Sequence, residues 1–220
     1  MPSATLYCRK LTYSLMAATG VCAVLLAIRV VLTGERTYAW LLFPNLALAW
    51  IPYVISSLMA AHFERKGARA RVLVPAGAVW LLFFPNAPYI LTDFVHLTYL
   101  GEPATVHYDI LLNAAAALTG LFIGLTSLGH VHDIVNRAYG VAFGAITVGG
   151  VLLLGGFGIY LGRFFRWNSW DVLTHPARIV ADLFGLFRDA GSLAFAIGYA
   201  VVVGAAYAVY CSSRCRSGSG

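Results

Sequence analysis

Six stretches of this chain are long and apolar enough to cross a bilayer, and nothing else in the sequence restricts its folding as much. They run over 11–32, 38–60, 72–90, 108–128, 139–161 and 191–210. A hydrocarbon core of about 30 Å takes about 20 helical residues. The runs are continuous, which means helices, because barrel strands alternate and are about half as long. Composition agrees. Of 220 residues, 60% are hydrophobic and 11% charged, against about 45–50% and about a quarter in soluble domains. So few charges cannot cover a water-soluble surface, and the same numbers exclude a disordered chain. The expectation is an all-α membrane protein with about six transmembrane helices. Residues 1–10 form a cytoplasmic N-terminus, 11–210 a single helical membrane domain and 211–220 a flexible cytoplasmic tail.

The first run follows Arg9 and Lys10, as a signal peptide would. It is longer than a usual signal core, carries Arg29 and lacks a convincing small-residue cleavage site, so it reads as a retained span. Pro44 and Pro52 blur the extent of the second span, and Pro85 and Pro88 interrupt the third. With the N-terminus inside, nine Lys and Arg fall on the cytoplasmic side and six outside, whereas seven of nine acidic residues lie outside. That bias sets the orientation. The four arginines of the fifth loop run against it. Attraction to anionic inner-leaflet lipid accounts for the basic charge, and no nucleic acid is called for. Cys8, Cys211 and Cys215 fall on the side where thiols stay reduced. Cys211 and Cys215 have no histidine partner in the tail, so neither a metal nor another cofactor is evident. Thirteen arginines against two lysines hint at a GC-rich bacterial genome and no more; a bacterial inner membrane is the expected location. The ending SGSG reads as a flexible tail or an appended scar.

Segment 175–189, HPARIVADLFGLFRD, is too short to span. Ile179, Val180, Leu183, Phe184 and Phe187 share one face, Thr174 is a candidate N-cap, and Pro176 suits a first turn. A helix over 176–189 lying in the interface plane is expected. Segment 90–100, ILTDFVHLTYL, is a candidate second short helix. Trp40, Trp80, Tyr89, Trp167 and Trp170 fall near the expected outer interface, where aromatic rings settle. Gly120/Gly124, Gly140/Gly144 and Gly158/Gly162 form G-x-x-x-G pairs, which permit close helix packing; a moving helix is the alternative. The stretches WLLFPN at 40–45 and WLLFFPN at 80–86 resemble one another. An inverted duplication would look like this, though so short a match of common membrane residues also arises by chance.

Polar residues converge on one membrane face. The odd-numbered loops and adjoining helix ends carry Asn45; Asn86, Asp93 and His96; His107, Tyr108, Asp109 and Asn113; and Arg163, Arg166, Asn168 and Asp171. Ionisable groups near apolar segments are costly and face a bundle interior or cavity with partners. His130, His132 and Asp133 fall at the opposite face and read as interface and capping residues in a loop or helix end. His62 and His175 have no evident partner.

The stretches FPNAPYILTDFVHL and GIYLGRFFRWNSWD resemble those of the uncharacterised bacterial membrane family known as domain of unknown function 1361. The resemblance covers about residues 25 to 210. Pro85, Asn86, Pro88, Tyr89, Asp93, His96, Gly162, Arg163, Asn168, Trp170 and Asp171 match its signature segments. It implies a helical integral membrane protein and carries over no activity, cofactor or substrate.

Each group has its own chemistry. Pro85-Asn86-Ala87-Pro88 cannot continue a regular helix, so it marks a helix end or broken backbone buried at membrane depth. Asp93 and His96, three apart, share a helix face. There a carboxylate could orient an imidazole as a general base, and these two are the candidate catalytic residues. Asp109 or His107 could join them as metal ligands, although a hydrogen-bonded pair is the simpler reading. Arg163 and Arg166 suit bidentate binding of phosphate or carboxylate, or an internal ion pair with Asp93, Asp109 or Asp171. Candidate substrate-binding residues are Asn86, Tyr89, Asp109, Arg163, Arg166, Asn168 and Asp171. Three functions stay open: an outward-facing polar pocket for a lipid or other amphiphile, or a scaffold or binding subunit; an Asp/His enzyme acting on a lipid or lipid-linked phosphate; and a small-molecule transporter. Membrane lipid is the one partner the sequence implies.

Overall fold

The computed structural model describes residues 4–34, 36–96 and 105–217. Among them the chain is mostly helical, without a strand. The α-helices are α1, Ala4–Thr33; α2, Thr37–Lys66; α3, Ala70–Phe83; α4, Asn86–Tyr89; α5, Val106–Tyr139; α6, Val141–Phe164; α7, Asp171–Thr174; α8, Pro176–Leu186; and α9, Ala190–Ser217. A 3₁₀ helix, Ile90–His96, follows α4 directly. Six segments are long and apolar enough to cross a membrane: Lys10–Thr33, Leu42–Lys66, Ala70–Val95, Val106–Tyr139, Val141–Phe164 and Ala190–Arg214. The chain is an all-α, multi-pass membrane protein.

Backbone chemistry sets the helix ends. Gly34, Gly67 and Gly140 adopt φ of 71°, 69° and 95°, and each returns its N–H to the carbonyl four residues back. This is the left-handed stop at which glycine avoids a Cβ clash. Helix α6 ends differently: Arg166 takes φ 58°, and the Trp167 N–H reaches the Leu161 carbonyl at 3.3 Å. Pro44 and Pro52 lie inside the unbroken α2. Prolines survive in spanning helices where neighbouring groups satisfy the freed backbone.

Two expectations are corrected. Helix α5 runs to Tyr139, well past residue 128, because no proline or turn-forming pair interrupts 129–139. The span that follows accordingly starts at Val141 rather than 139. Thr174 does not cap α8. The cap position is His175, without a side-chain bond, and the Thr174 hydroxyl turns back to the Asp171 carbonyl at 3.3 Å. Pro176 does open the helix. The two WLLF stretches take different structures: Pro44 lies within α2, whereas Pro85 lies in the turn between α3 and α4.

The residues group into two compact units. The first comprises Met1–Ile51 and Asn86–Gly124, the second Pro52–Pro85 and Leu125–Gly220. In the first, Cys22, Leu26, Leu46, Ile90, Leu112 and Ala116 belong to one buried cluster. Glycine permits its tightest approach. A Cβ on Gly120 would lie 2.5 Å from the Ala87 carbonyl oxygen, and one on Gly124 would lie 3.2 Å from the Ala87 Cβ. In the second unit α6 and α9 pack together, and a Cβ on Gly156 would lie 2.8 Å from the Ala196 Cα. Phe157, Leu161, Leu186 and Ala196 form a core there, with Leu183 against it. Helix α8 thus buries Leu186 and leaves Val180 and Phe184 exposed, with Phe187 exposed just past its end, the apolar face an interfacial helix presents.

Candidate functional site

The polar residues of the first unit lie on the same helix faces as its core. Arg29 is one turn beyond Leu26, Asp109 one turn before Leu112, and Asp93 three residues after Ile90. Burial follows from that register: Arg29 is 5% exposed, Asp93 3% and Asp109 not at all. Burying such charges requires partners. The Arg29 Nε donates to Asp109 Oδ1 at 2.6 Å and its Nη2 to Oδ2 at 3.1 Å. This fork is the favoured geometry of a guanidinium and a carboxylate. The Thr105 hydroxyl adds a longer bond to Oδ2, 3.3 Å. Asp109 stands in the first turn of α5 and Arg29 close to the end of α1, where the helix dipoles favour these signs of charge.

More polar groups tie the same helices together. The Tyr108 hydroxyl donates to the Leu25 carbonyl at 2.6 Å. Cys22 Sγ and Thr119 Oγ1 are 3.5 Å apart. The Asn113 amide donates back to the Asp109 carbonyl at 2.8 Å. Asp93 accepts from the Asn45 amide at 3.0 Å, which links the 3₁₀ helix to α2. Asn86 opens α4, and Tyr89 closes it with its carbonyl accepting from Thr92 Oγ1 at 2.7 Å; both are half-buried. His107 is exposed. The side chain of His96, the other candidate catalytic residue, lies outside the described residues, as does the 97–100 part of the expected short helix.

The second unit holds the remaining candidates. Arg163 is half-buried in the last turn of α6, and Arg166 is exposed in its left-handed position. Asp171 accepts from the Asn168 backbone N–H at 2.7 Å and from its amide at 3.2 Å, closing the turn into α7. Ser169 Oγ donates to the Leu82 carbonyl at 3.0 Å. The Trp167 indole N–H donates to Asp182 at 2.8 Å, with the Arg178 guanidinium 5.7 Å from the Trp167 ring centre. Trp167 is therefore pinned to α8. Trp80 is enclosed by protein. It is 2% exposed and donates to Ser127 Oγ at 2.7 Å, which donates to the Pro52 carbonyl at 3.0 Å.

His130, His132 and Asp133 are interior to α5, not in a loop or at a helix end. His130 Nδ1 lies 3.1 Å from the Ser56 hydroxyl, and its ring packs on Tyr53. His132 Nδ1 is 2.8 Å from the Tyr207 hydroxyl. Arg214 donates to Asp133 at 2.7 Å, and Arg137 pairs with Glu64. His175, without an evident partner in the sequence, has Thr174 Oγ1 2.9 Å from its Nδ1. Among the described residues no three His, Cys, Asp or Glu side chains gather as a metal site would require.

Sequence reasoning missed one residue of the first unit, Arg29. It had named Arg163 or Arg166 as an ion partner for Asp109, yet the fork to Asp109 comes from Arg29. The available signal was a single arginine in an otherwise apolar span, which needs a partner. Nothing in the sequence named which carboxylate it was.

A family model described as a protein of unknown function (DUF1361) matches residues 44–205. No curated protein and no solved structure matches the chain.

Proposed function

We propose that this chain, which belongs to the DUF1361 family of proteins of unknown function, is a membrane binding or scaffold subunit whose first unit receives the head of a lipid or other amphiphile beside Asp93. The observation that carries this reading is the placement of Asp93. A nearly buried carboxylate sits on a 3₁₀ helix that ends a broken, span-length segment and takes the Asn45 amide. An ionisable residue buried within a membrane-spanning segment marks a functional site by default, and interrupted spanning helices are where membrane proteins build binding sites. Asp109 is the frame of that site rather than a contact, because Arg29 already occupies both its oxygens. Asn86 and Tyr89, which lead into the 3₁₀ helix, are the neighbouring binding residues. In the second unit, taken by itself, Arg163 and Arg166 are the candidates for holding an anionic group, with Asn168 and Asp171 organising the adjoining turn.

The test is native mass spectrometry of protein extracted with its own lipids, wild type against Asp93→Asn. The reading expects a defined lipid or amphiphile on the wild type and at least about a tenfold loss on the variant. The same bound species on a stably folded Asp93→Asn protein would sink it.

One observation favours a second reading. In a 3₁₀ helix, positions three apart eclipse, and 93 and 96 are such positions on Ile90–His96. That register suits an Asp/His pair acting on a lipid or lipid-linked phosphate. Turnover of an added lipid that both Asp93→Asn and His96→Gln abolish would favour the enzyme. With this reading goes a proposed topology in which both termini, and the α2–α3 connection, lie on the cytoplasmic side of a bacterial inner membrane.

A further inference from the structure

Both acids at one end of the second unit are already engaged. Glu64, near the end of α2, pairs with Arg137 near the end of α5. Asp133 on α5 pairs with Arg214 near the end of α9. These two pairs bring the C-terminal ends of α2, α5 and α9 together. At that same end the chain turns from α2 into α3 through Gly67, Ala68 and Arg69, and the seven residues 65–71 carry Arg65, Lys66, Arg69 and Arg71. All four cations are exposed. Among the described residues no carboxylate pairs with them, and the nearest acid in the sequence, Glu64, is held by Arg137. The turn is hydrogen-bonded: the Gly67 N–H bonds the Phe63 carbonyl at 2.8 Å and the Arg69 N–H the Gly67 carbonyl at 2.9 Å.

We propose that this four-cation turn is a docking surface for the phosphate headgroups of anionic phospholipid in the leaflet it faces. Charge complementarity carries the proposal: a compact excess of positive charge with its own acids neutralised, joined to two helices that enter the apolar layer. Juxtamembrane cations next to a span bind anionic lipid additively. Arginine suits phosphate through paired donors. The surface is separate from the Asp93 site and does not depend on it.

The experiment compares full-length protein in nanodiscs of phosphatidylcholine with and without phosphatidylglycerol, at low and moderate salt. Lipid retained around the protein is read by native mass spectrometry. The Arg69→Gln/Arg71→Gln variant should lose about tenfold or more of the preference for phosphatidylglycerol. The Arg178→Gln/Arg188→Gln variant, which removes equal charge from exposed positions on and just after α8, should keep it. Rising salt should weaken the preference in the wild type. Equal losses in the two variants would overturn the proposal by showing a net-charge effect alone. Displacement of the retained lipid by millimolar inorganic phosphate would overturn it in favour of a free-anion site. If Arg69→Gln/Arg71→Gln does not fold, Arg69→Lys/Arg71→Lys serves in its place, since it keeps the charge. Full retention there supports a charged surface, and a wild-type preference insensitive to salt overturns it.

Discussion

Arg29 and Asp109 show how a single pair shapes this molecule. Neither charge is tolerable alone at its depth, so each position makes sense only with the other. Removing one partner leaves an uncompensated buried charge, whereas replacing both with apolar side chains removes the desolvation penalty as well. Asp109→Ala should therefore destabilise the protein by about 3–5 kcal/mol, read as unfolding in detergent. Arg29→Met combined with Asp109→Leu should recover most of that loss. A single variant as stable as the wild type would show that the fork contributes nothing. The pair was half legible. Arg29 stood out in its span, and Asp109 stood out beside His107 and Tyr108. Their pairing joins positions 80 residues apart, and no local pattern encodes that distance.

Helices here are positioned by glycine contacts and by caps, and the two kinds of glycine separate cleanly. Gly120 faces the Ala87 carbonyl and Ile90 with no room for a methyl group, whereas Gly149 has nothing within 4 Å of the place a Cβ would take. Gly120→Ala should cost about 1–3 kcal/mol through overpacking. Gly149→Ala should be neutral or gain about 0.5–1 kcal/mol of helix stability. Thermal unfolding of the two variants side by side checks this. Spacing alone marked Gly120 and Gly124 as a packing pair. That their partner is the broken α4 segment, not a whole helix, came only from the structure.

The start of α9 supplies a pH test. Asp189 accepts the Ser192 backbone N–H at 2.7 Å, and that bond, with the Ser192 side chain, holds its carboxyl below the ordinary aspartate value of 3.8. A carboxyl lowered by folding stabilises the charged, folded form. The contribution is whole above 3.8 and disappears as pH falls through the lower folded value. Amide exchange at Ser192 should stay slow down to that ordinary value and quicken below it. In Asp189→Ala it should be fast throughout, while Asp189→Asn, still able to cap, should stay slow at low pH.

For the whole molecule, the proposed topology has six spans with both termini on the cytoplasmic side, as the Lys and Arg bias would set it. Fluorescent reporters at either end should both be active inside the cell, and a secreted phosphatase at either end should be silent. One active phosphatase fusion would remove a span from the count.

Long apolar runs, the amphipathic pattern of 176–189, helix-breaking prolines and the surplus of hydrophobic over charged residues are local properties. From them the sequence by itself determined an all-α chain with six spans, a short amphipathic helix opened by Pro176, and a break at Pro85–Pro88. Each depends on residues within a turn or two, or on a bilayer whose thickness is known in advance. The tertiary structure decided the rest: that α5 continues through His130 and His132, that Trp80 is buried and donates to Ser127, and that Arg29 is the partner of Asp109. In a membrane interior, a polar group's role depends on which distant group satisfies it. That choice is made by helix packing, not by the neighbouring sequence.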